Sequence, residues 1–369
     1  MILTNDSGLP AAWLMGFRKD GRETMIVVVK ATYLLPPNDD APALAPLQPP
    51  LVEADSFTGE PGVSAPRHET DFAHYKPGCD VLLLGSAHAP EGRPAERCHV
   101  GLKVGSLVKQ FAVVGNRHWI RSLVGSIAAS APEHFTVMPV GYDQAFGGVD
   151  RSREADGRIE TFVANPAGKG FRRNTRDIDG VPLPNTEETG RAVTAPDGDY
   201  RPQAFSAIGR NWQPRAAYAG TYDRHWLENV APLWPDDFDE RYFQAAPPDQ
   251  VIPYPVGGEE VILANLTPDG RRRFRLPSRS MPVIFIPHSG RYVIQQAHLD
   301  TLVLEPDAGS FTMTWRSVLP LGRSVFDVRE VVVGEKTAGW LRAHRFPGKK
   351  YYASLAEAVR DNPRMGRVR

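Results

Sequence analysis

The sequence is poor in residues that would indicate metal, nucleic-acid or membrane binding. Its only two cysteines, Cys79 and Cys98, are far apart and form no CxxC pair, so neither a zinc site nor a disulfide scaffold is expected. Lys plus Arg (43) equals Asp plus Glu (43), which gives no electrostatic reason to expect a nucleic-acid partner. No apolar run is long enough to span a bilayer, and the first residues do not resemble a signal peptide. We therefore expect a cytoplasmic protein with reduced thiols and no membrane insertion.

The common catalytic signatures are also missing. The ten histidines occur singly, without HxH or HExxH spacing. No GxSxG elbow surrounds a serine, and neither glycine-rich stretch, at 146–148 or 165–171, has the GxxxxGK[ST] form of a phosphate-binding loop. We predict that the chain is not an enzyme, has no catalytic residues, and binds no metal and no cofactor.

The apolar residues that are present indicate a β-rich protein. With 41% hydrophobic residues the chain can bury a core, whereas 34 prolines and 33 glycines disfavour long helices. Residues 25–35 (MIVVVKATYLL) are typical of a buried strand. Similar short apolar runs, separated by turn residues, occur late in the chain at 283–286, 292–294, 302–304, 311–315 and 331–333. This spacing predicts a mainly β fold with antiparallel, sandwich-like sheets.

The pattern changes along the chain and predicts four regions. Helices are expected in only two places. The first is the stretch around Leu227 and residues 237–245, and the second is residues 351–360. The arginine run 271–273 with Arg275 follows Asp-Gly and is typical of a hairpin arm with a solvated face. The regions are an N-terminal β region (1–140), a loop-rich and aromatic-rich insertion (141–255), a C-terminal β region packed with the N-terminal one (256–335), and a tail with a short helix (336–369).

Aromatic and acidic residues are interleaved at 212–243, and this cluster has two interpretations. The first is a carbohydrate-active enzyme or carbohydrate-binding protein, in which a carboxylate pair is flanked by sugar-stacking rings. The second is a local aromatic core whose acids cap turns or pair with Arg215, Arg224 and Arg241. The side chains concerned are Trp212, Tyr222, Trp226, Asp223, Asp236 and Asp237.

The acids at 236–240 could also be read as a calcium loop, because hard cations prefer oxygen ligands. The EF-hand pattern is absent, and Asp236 and Asp237 precede a predicted helix. A carboxylate at that position stabilises the helix N-terminus. Helix capping is therefore the favoured interpretation of these two acids.

Eight motifs, taken together and in this order, resemble a known protein family. They are 142–148 (YDQAFGG), 165–171 (NPAGKGF), 183–187 (LPNTE), 212–226 with its YAGTYD core, 235–239 (PDDFD), 246–250 (APPDQ), 265–268 (NLTP) and 299–302 (LDTL). The family is a bacterial domain-of-unknown-function family encoded beside type VI secretion spike genes, whose members act as effector adaptors or chaperones. The likeness spans roughly residues 9–315.

The resemblance implies a protein-binding function. The expected partner is a toxin effector with a PAAR or PAAR-like domain, which the chain would bind in the cytoplasm and help to load onto the VgrG spike. The VgrG spike protein is the second candidate partner. Most motif residues are expected to be structural, and the residues that contact a partner cannot be assigned from sequence. The motif residues are Phe146, Gly147, Gly148, Asn165, Pro166, Gly168, Trp212, Pro214, Tyr218, Gly220, Tyr222, Asp223, Trp226, Asp237, Phe238, Asp249 and Gln250.

Overall fold

The fold is mainly β, as the sequence predicts. A computed structural model describes residues 1–123, 125–289, 291–345, 350–352 and 354–362. Strands account for 37% of the residues and helices for 13%, with several antiparallel sheets. The predicted fold class is therefore confirmed.

Among the described residues there are twenty-five strands, most of them short. In chain order they are β1 (Ile2–Asn5), β2 (Ala11–Phe17), β3 (Glu23–Leu34), β4 (Ser56–Phe57), β5 (Pro66–His68), β6 (Cys79–Leu83), β7 (Ser86–His88), β8 (Arg97–Val104), β9 (Leu107–Val114), β10 (Trp119–Arg121), β11 (Ile127–Ala129), β12 (Val137–Pro139), β13 (Phe146–Gly147), β14 (Val149–Arg153), β15 (Arg158–Thr161), β16 (Lys169–Gly170), β17 (Thr186–Glu187), β18 (Val251–Ile252), β19 (Glu260–Ala264), β20 (Arg271–Arg275), β21 (Pro282–Pro287), β22 (Val293–Gln296), β23 (His298–Glu305), β24 (Ser310–Pro320) and β25 (Val328–Val333).

Helices are short. The α-helices are α1 (Arg224–Asn229), α2 (Ala338–Arg345) and α3 (Leu355–Asp361). Single 3-10 turns lie at Pro90–Gly92, Tyr142–Gln144, Glu154–Asp156, Arg215–Ala219, Glu240–Phe243, Pro248–Gln250, Pro306–Ala308 and Val325–Asp327.

The sequence located the main strands better than the helices. The predicted strand at 25–35 corresponds to β3. Four of the five late apolar runs fall inside β21, β23, β24 and β25, and the run at 292–294 overlaps β22. Leu227 lies in α1, the predicted helix at 351–360 overlaps α3, and α2 was not predicted. Residue 353, within the predicted helix, lies outside the described residues.

The predicted helix at 237–245 is wrong, because only the 3-10 turn Glu240–Phe243 forms there. Gln244 is already extended, and the next N–H groups, of Ala245 and Ala246, donate to the Asp80 carboxylate. The turn is capped by Asp239, whose side chain accepts from the Arg241 N–H at 2.9 Å. The predicted cap at Asp236 or Asp237 is therefore displaced to Asp239.

The chain divides into two compact units. The first comprises Met1–Val29, Ser280–His298 and Arg316–Arg369. It contains a four-stranded sheet with the order β1-β25-β21-β22, in which β1 and β25 are parallel and the other pairs antiparallel. Within the same unit, β2 pairs antiparallel with the first half of β3. Ile284, Ile286 and Val332 are buried against Trp340 of α2.

The second unit comprises Lys30–Arg279 and Leu299–Trp315. One of its sheets has the order β17-β9-β8-β19-β20 and is antiparallel throughout. In β8 the buried side chains alternate, with Val100, Leu102 and Val104 each no more than 1% exposed. The β19–β20 hairpin confirms the predicted arm at 271–275. In a second sheet β6 lies between β18, which is antiparallel to it, and β23, which is parallel.

Candidate functional site

The two glycine-rich motifs meet around the side chain of Asn165, which is buried in the second unit. Its amide donates to the carbonyl oxygens of Tyr142 at 2.8 Å and Phe146 at 3.1 Å. Gly147 and Gly148 have φ of +150° and +111° and lie against the chain at Asn165 and Gly168. A Cβ on Gly147 would stand 2.1 Å from the Asn165 carbonyl oxygen. Glycine is thus required sterically here, and no phosphate cradle is needed to explain it.

The motif at 212–226 begins in the interior of the protein. Trp212 is 2% exposed and packs edge-to-face on Tyr142, with ring centroids 5.5 Å apart. Pro214 precedes the turn that carries Arg215, whose guanidinium is 1% exposed and paired with the Glu69 carboxylate. Arg215 also donates to the Ile208 carbonyl oxygen at 2.8 Å. Trp212 consequently has no face open to a sugar ring.

The acids of the same motif bind local backbone and hydroxyl groups. Asp223 caps α1 by accepting from the Trp226 N–H at 2.9 Å, and Tyr222 packs edge-to-face on Trp226. Asp237 accepts from both the N–H and the hydroxyl of Thr221, each at 2.8 Å. Gly220, at φ +80°, is close to Asp237, since a Cβ on it would lie 2.8 Å from Oδ1. These contacts do not favour the carbohydrate alternative.

Phe238, the aromatic residue of the PDDFD motif, belongs to a ring cluster. It is 6% exposed, stacks on Trp234 with centroids 4.4 Å apart, and contacts Phe243 and Tyr242 edge-to-face. The rings therefore form the local core that the second interpretation of this segment expects.

Asp249 and Gln250 bind a lysine in the strand β9. Gln250 is fully buried; its amide donates to the carbonyl oxygens of Val81 and Phe205, and its oxygen accepts from Lys109 Nζ at 2.7 Å. Asp249 lies 3.2 Å from the same Nζ and 2.7 Å from Arg201. Burial lowers the pKa of Lys109 to about 8, against the opposing effect of Asp249.

A pocket of about 260 Å³, here called the Tyr218 pocket, opens beside these motifs. Its apolar wall comes from Ile208, Ala246 and Val251. The polar part includes Tyr218, with the Arg241 guanidinium 4.3 Å from its ring centroid, and Gln244. Within the part of the chain that the structure describes, the buried Nε2 of Gln244 has no hydrogen-bond partner.

A larger cavity of about 450 Å³ in the same unit carries several acids. Glu305 lies 3.6 Å from His68, and Asp307 accepts from the Ser86 hydroxyl at 2.8 Å. Burial lowers the pKa of His68, which works against its charging beside Glu305. The cavity is therefore polar, but its acids already have partners.

Metal-binding and redox features are sparse. Across the described residues, no three His, Cys, Asp or Glu side chains come together in a way that could hold a metal ion. Cys79 and Cys98 are both free and buried. Of the helices in the described ranges, none has the length and apolarity needed to cross a bilayer.

An exposed apolar row lies on β2 in the first unit. Trp13, Met15 and Phe17 alternate along the strand and are 37%, 42% and 41% exposed. Because side chains at every second position share one face of a strand, the three project from the same face. In the described chain β2 pairs only with β3 and therefore ends its sheet. The alternation was visible in the sequence but was not recognised there.

Two further residues could not have been found from sequence. Glu69 lies in none of the eight motifs, and it forms an ion pair with Arg215, which is 146 positions away in the sequence. Gln244 is notable only because burial leaves its donor without an acceptor in the described structure. Neither has a local pattern that would have indicated it.

A protein-family model matches most of the chain. The family model described as "Uncharacterized protein conserved in bacteria (DUF2169)" matches residues 20–316. The chain belongs to this bacterial family. No curated protein and no solved structure matches it. Membership of a bacterial family of uncharacterized proteins is thus confirmed, and the association with type VI secretion stays a prediction.

Proposed function

We propose that this chain is a non-catalytic adaptor that binds a toxin effector with a PAAR or PAAR-like domain and helps to load it onto the VgrG spike of a type VI secretion system. Two things support the proposal. One is the family resemblance of the eight ordered motifs. The other, which carries the physical argument, is the exposed apolar row on the edge strand β2.

The geometry of β2 suits one kind of occupant, an extended apolar segment of the toxin. An edge strand offers unpaired backbone donors and acceptors to a strand from another chain. The period-two row of Trp13, Met15 and Phe17 would pack against apolar side chains at alternate positions of that added strand. Large aromatic residues are also the types that contribute most to binding at interfaces.

The size of the effect can be bounded. Complete burial of a large apolar side chain stabilises by about 1.5–3 kcal/mol. Since each of the three side chains is already more than half buried, covering the rest contributes on the order of 1 kcal/mol apiece. Together with backbone pairing, this is enough for the row to determine whether a complex survives purification.

The test is co-purification of the tagged chain from cells that also express the adjacent toxin and spike genes, followed by mass spectrometry. We expect the toxin to be recovered with the wild-type chain. The triple substitution Trp13→Thr, Met15→Thr and Phe17→Thr keeps β-formers in the strand and should reduce toxin recovery at least about tenfold.

Val108→Thr is the matched control, because Val108 is 68% exposed but lies in β9, in a different sheet from β2. It should leave recovery unchanged. Failure of the folded wild-type chain to retain any toxin would overturn the proposal and make a glycan array the next experiment.

A further inference from the structure

The apolar row on β2 leads directly into a basic turn. Residues 18–22 (RKDGR) close the hairpin between β2 and β3. The Arg18 N–H donates to the Arg22 carbonyl oxygen at 2.8 Å, and the Gly21 N–H donates to the Arg18 carbonyl oxygen at 2.9 Å. These two hydrogen bonds hold the turn at the Phe17 end of the row. A strand that pairs with β2 and extends past Phe17 therefore comes close to the side chains of this turn.

The turn carries uncompensated positive charge. Arg18 and Lys19 are exposed, and among the described residues neither has an ion-pair partner. Asp20 is the only acid in the turn, and it is occupied by Arg22, whose Nε lies 3.4 Å from Oδ2 and whose N–H donates to Oδ1 at 3.1 Å. Because complementary charges strengthen and orient binding, a strand seated on β2 is expected to carry acidic groups at this end.

The neighbouring acids do not neutralise the turn. Glu23, which pairs with Phe17 in the strand register, accepts from the Val325 N–H at 2.7 Å. Arg323 and Asp327, which lie two residues before and after Val325, contribute opposite charges. The two unpaired cations at the end of β2 therefore still need a counter-charge.

A second copy of the chain does not supply that counter-charge. Antiparallel self-pairing of β2 places the turn of one copy beside residues 6–10 of the other, where the sequence DSGLP contains Asp6 as its single acid. Asp6 is already paired with Lys336. In such a dimer the cations of the turn would stay uncompensated.

A membrane surface satisfies less of this edge than a strand does. β2 pairs only with β3 in the described chain, so its outward backbone N–H and C=O groups have no ladder partner there. Unpaired backbone groups are strongly disfavoured among lipid chains, whereas an added strand supplies their partners. An extended peptide is thus the occupant that satisfies the edge, the apolar row and the basic turn together.

We propose that β2 binds an antiparallel strand whose alternate residues are apolar and whose N-terminal end carries acidic residues that contact Arg18 and Lys19. Antiparallel pairing is the more stable arrangement per residue, and it places the N-terminal end of the added strand beside Phe17, where β2 ends. That the strand belongs to a toxin effector rests on the proposed function. Its charge pattern does not, since it follows from the turn alone.

Three synthetic peptides with blocked ends test the proposal on the purified full chain. Each contains six alternating valine and threonine residues, close to the seven residues of β2. The first peptide adds two glutamates at the N-terminal end, the second adds two glutamates at the C-terminal end, and the third adds two glutamines at the N-terminal end. An uncharged fluorophore at the end opposite the added pair reports binding by anisotropy.

We expect a Kd on the order of 0.1 mM for the first peptide. At low salt it should bind about fivefold more tightly than the other two, because only its glutamates lie beside the turn. The difference should disappear in 1 M NaCl, where charges are screened beyond about 3 Å. Equal affinities at low salt, tightest binding of the second peptide, or no binding of the first would overturn the proposal.

Paired substitutions locate the charge effect. Arg18→Gln with Lys19→Gln should abolish the fivefold preference and leave the affinity for the glutamine peptide unchanged. Arg158→Gln with Arg176→Gln removes the same charge from exposed positions in the second unit, so this matched control should keep the preference. A preference that survives the loss of both turn cations would overturn the proposal.

The other two occupants give different results. Co-sedimentation with vesicles of phosphatidylcholine and phosphatidylserine, without peptide binding, would assign the row to a membrane surface. A dimer in sedimentation velocity, again without peptide binding, would assign it to a second copy. In both cases the signal would be lost in the triple substitution Trp13→Thr, Met15→Thr and Phe17→Thr, and the proposal would be overturned.

Toxin co-purification separates this inference from the proposed function. If the wild-type chain and the variant without the charges of Arg18 and Lys19 retain toxin equally, and the peptides show no charge preference, the charge inference is wrong and the adaptor function stands. If the first peptide binds preferentially but no toxin is retained, the charge inference holds and the adaptor function is wrong.

Discussion

Arg215 and Glu69 form a buried ion pair between segments 146 positions apart, with Nη2 of the arginine 2.9 Å from Oε2 of the glutamate. The arginine side chain is 1% exposed and that of the glutamate 9%. Two further guanidinium N–H groups donate to the backbone carbonyl oxygens of Tyr242 and Ile208. Such a pair contributes little net stability as a unit, but loss of one partner leaves an uncompensated charge in the interior.

Glu69→Gln is therefore expected to destabilise the protein by about 3–5 kcal/mol, measured as the free energy of unfolding in urea. Glu228→Gln removes the carboxylate from an exposed pair with Arg224, and it should cost less than about 0.5 kcal/mol. Equal effects of the two substitutions would show that Arg215 is not electrostatically dependent on Glu69.

Gly147→Ala should be far more damaging than alanine at another glycine with positive φ. A Cβ at Gly147 would collide with the Asn165 carbonyl oxygen, so we expect a loss of at least about 3 kcal/mol in the free energy of unfolding. Gly157, at φ +71°, has open space around it. Alanine there should lower the free energy of unfolding by only about 1 kcal/mol, the cost of holding a residue with a Cβ at positive φ. Comparable losses would mean that sterics at Asn165 are not decisive.

Lys109 predicts a specific pH dependence of stability. Burial lowers its pKa to about 8 in the folded state, whereas the unfolded value is about 10.4. Between these values the unfolded state binds more protons, so the Lys109 contribution to the free energy of unfolding rises with pH. Between pH 7.5 and 10, the free energy of unfolding of the wild-type chain should rise by on the order of 2 kcal/mol more than that of the Lys109→Met variant. Parallel pH curves for the two proteins would contradict this.

Both cysteines should be inert in the folded protein. Burial raises the pKa of the Cys98 thiol to about 11 and raises that of Cys79 as well. At pH 8 the thiolate fraction of Cys98 is then only about a thousandth. Iodoacetamide should leave both residues unmodified by mass spectrometry in native buffer and alkylate both in urea. Rapid labelling of Cys98 without denaturant would argue against its burial.

The strands were predictable because their signal is local. Residues 25–35 and the late runs are rich in β-branched residues, and burial on both faces selects such residues directly. The predicted helix at 237–245 fails because the backbone N–H groups of Ala245 and the following Ala246 bind Asp80, which is far away in sequence. A tertiary hydrogen bond of that kind overrides propensity and leaves no mark in a local window.

The same distinction applies to the candidate sites. Asn165 and Gly147 belong to two motifs that were both visible in the sequence. The contact between these two motifs was not predicted. The row on β2 was readable as alternation, but its exposure depends on which strand ends the sheet. The unpaired amide of Gln244 depends on the absence of an acceptor within the described structure, and no sequence pattern encodes that.

The strand β20 ends the five-stranded sheet, but its outer edge is covered: Asn38 accepts from the Arg273 N–H and donates to the Arg271 carbonyl oxygen, and the Asp39 N–H donates to the Arg273 carbonyl oxygen. A covered edge offers few free backbone groups to a second copy and so discourages edge-to-edge association. The sequence of β2, AAWLMGF, has no charge at all. The edge at β2 thus has no charged gatekeeper, and in a concentrated solution of the protein we expect edge-to-edge association to begin there.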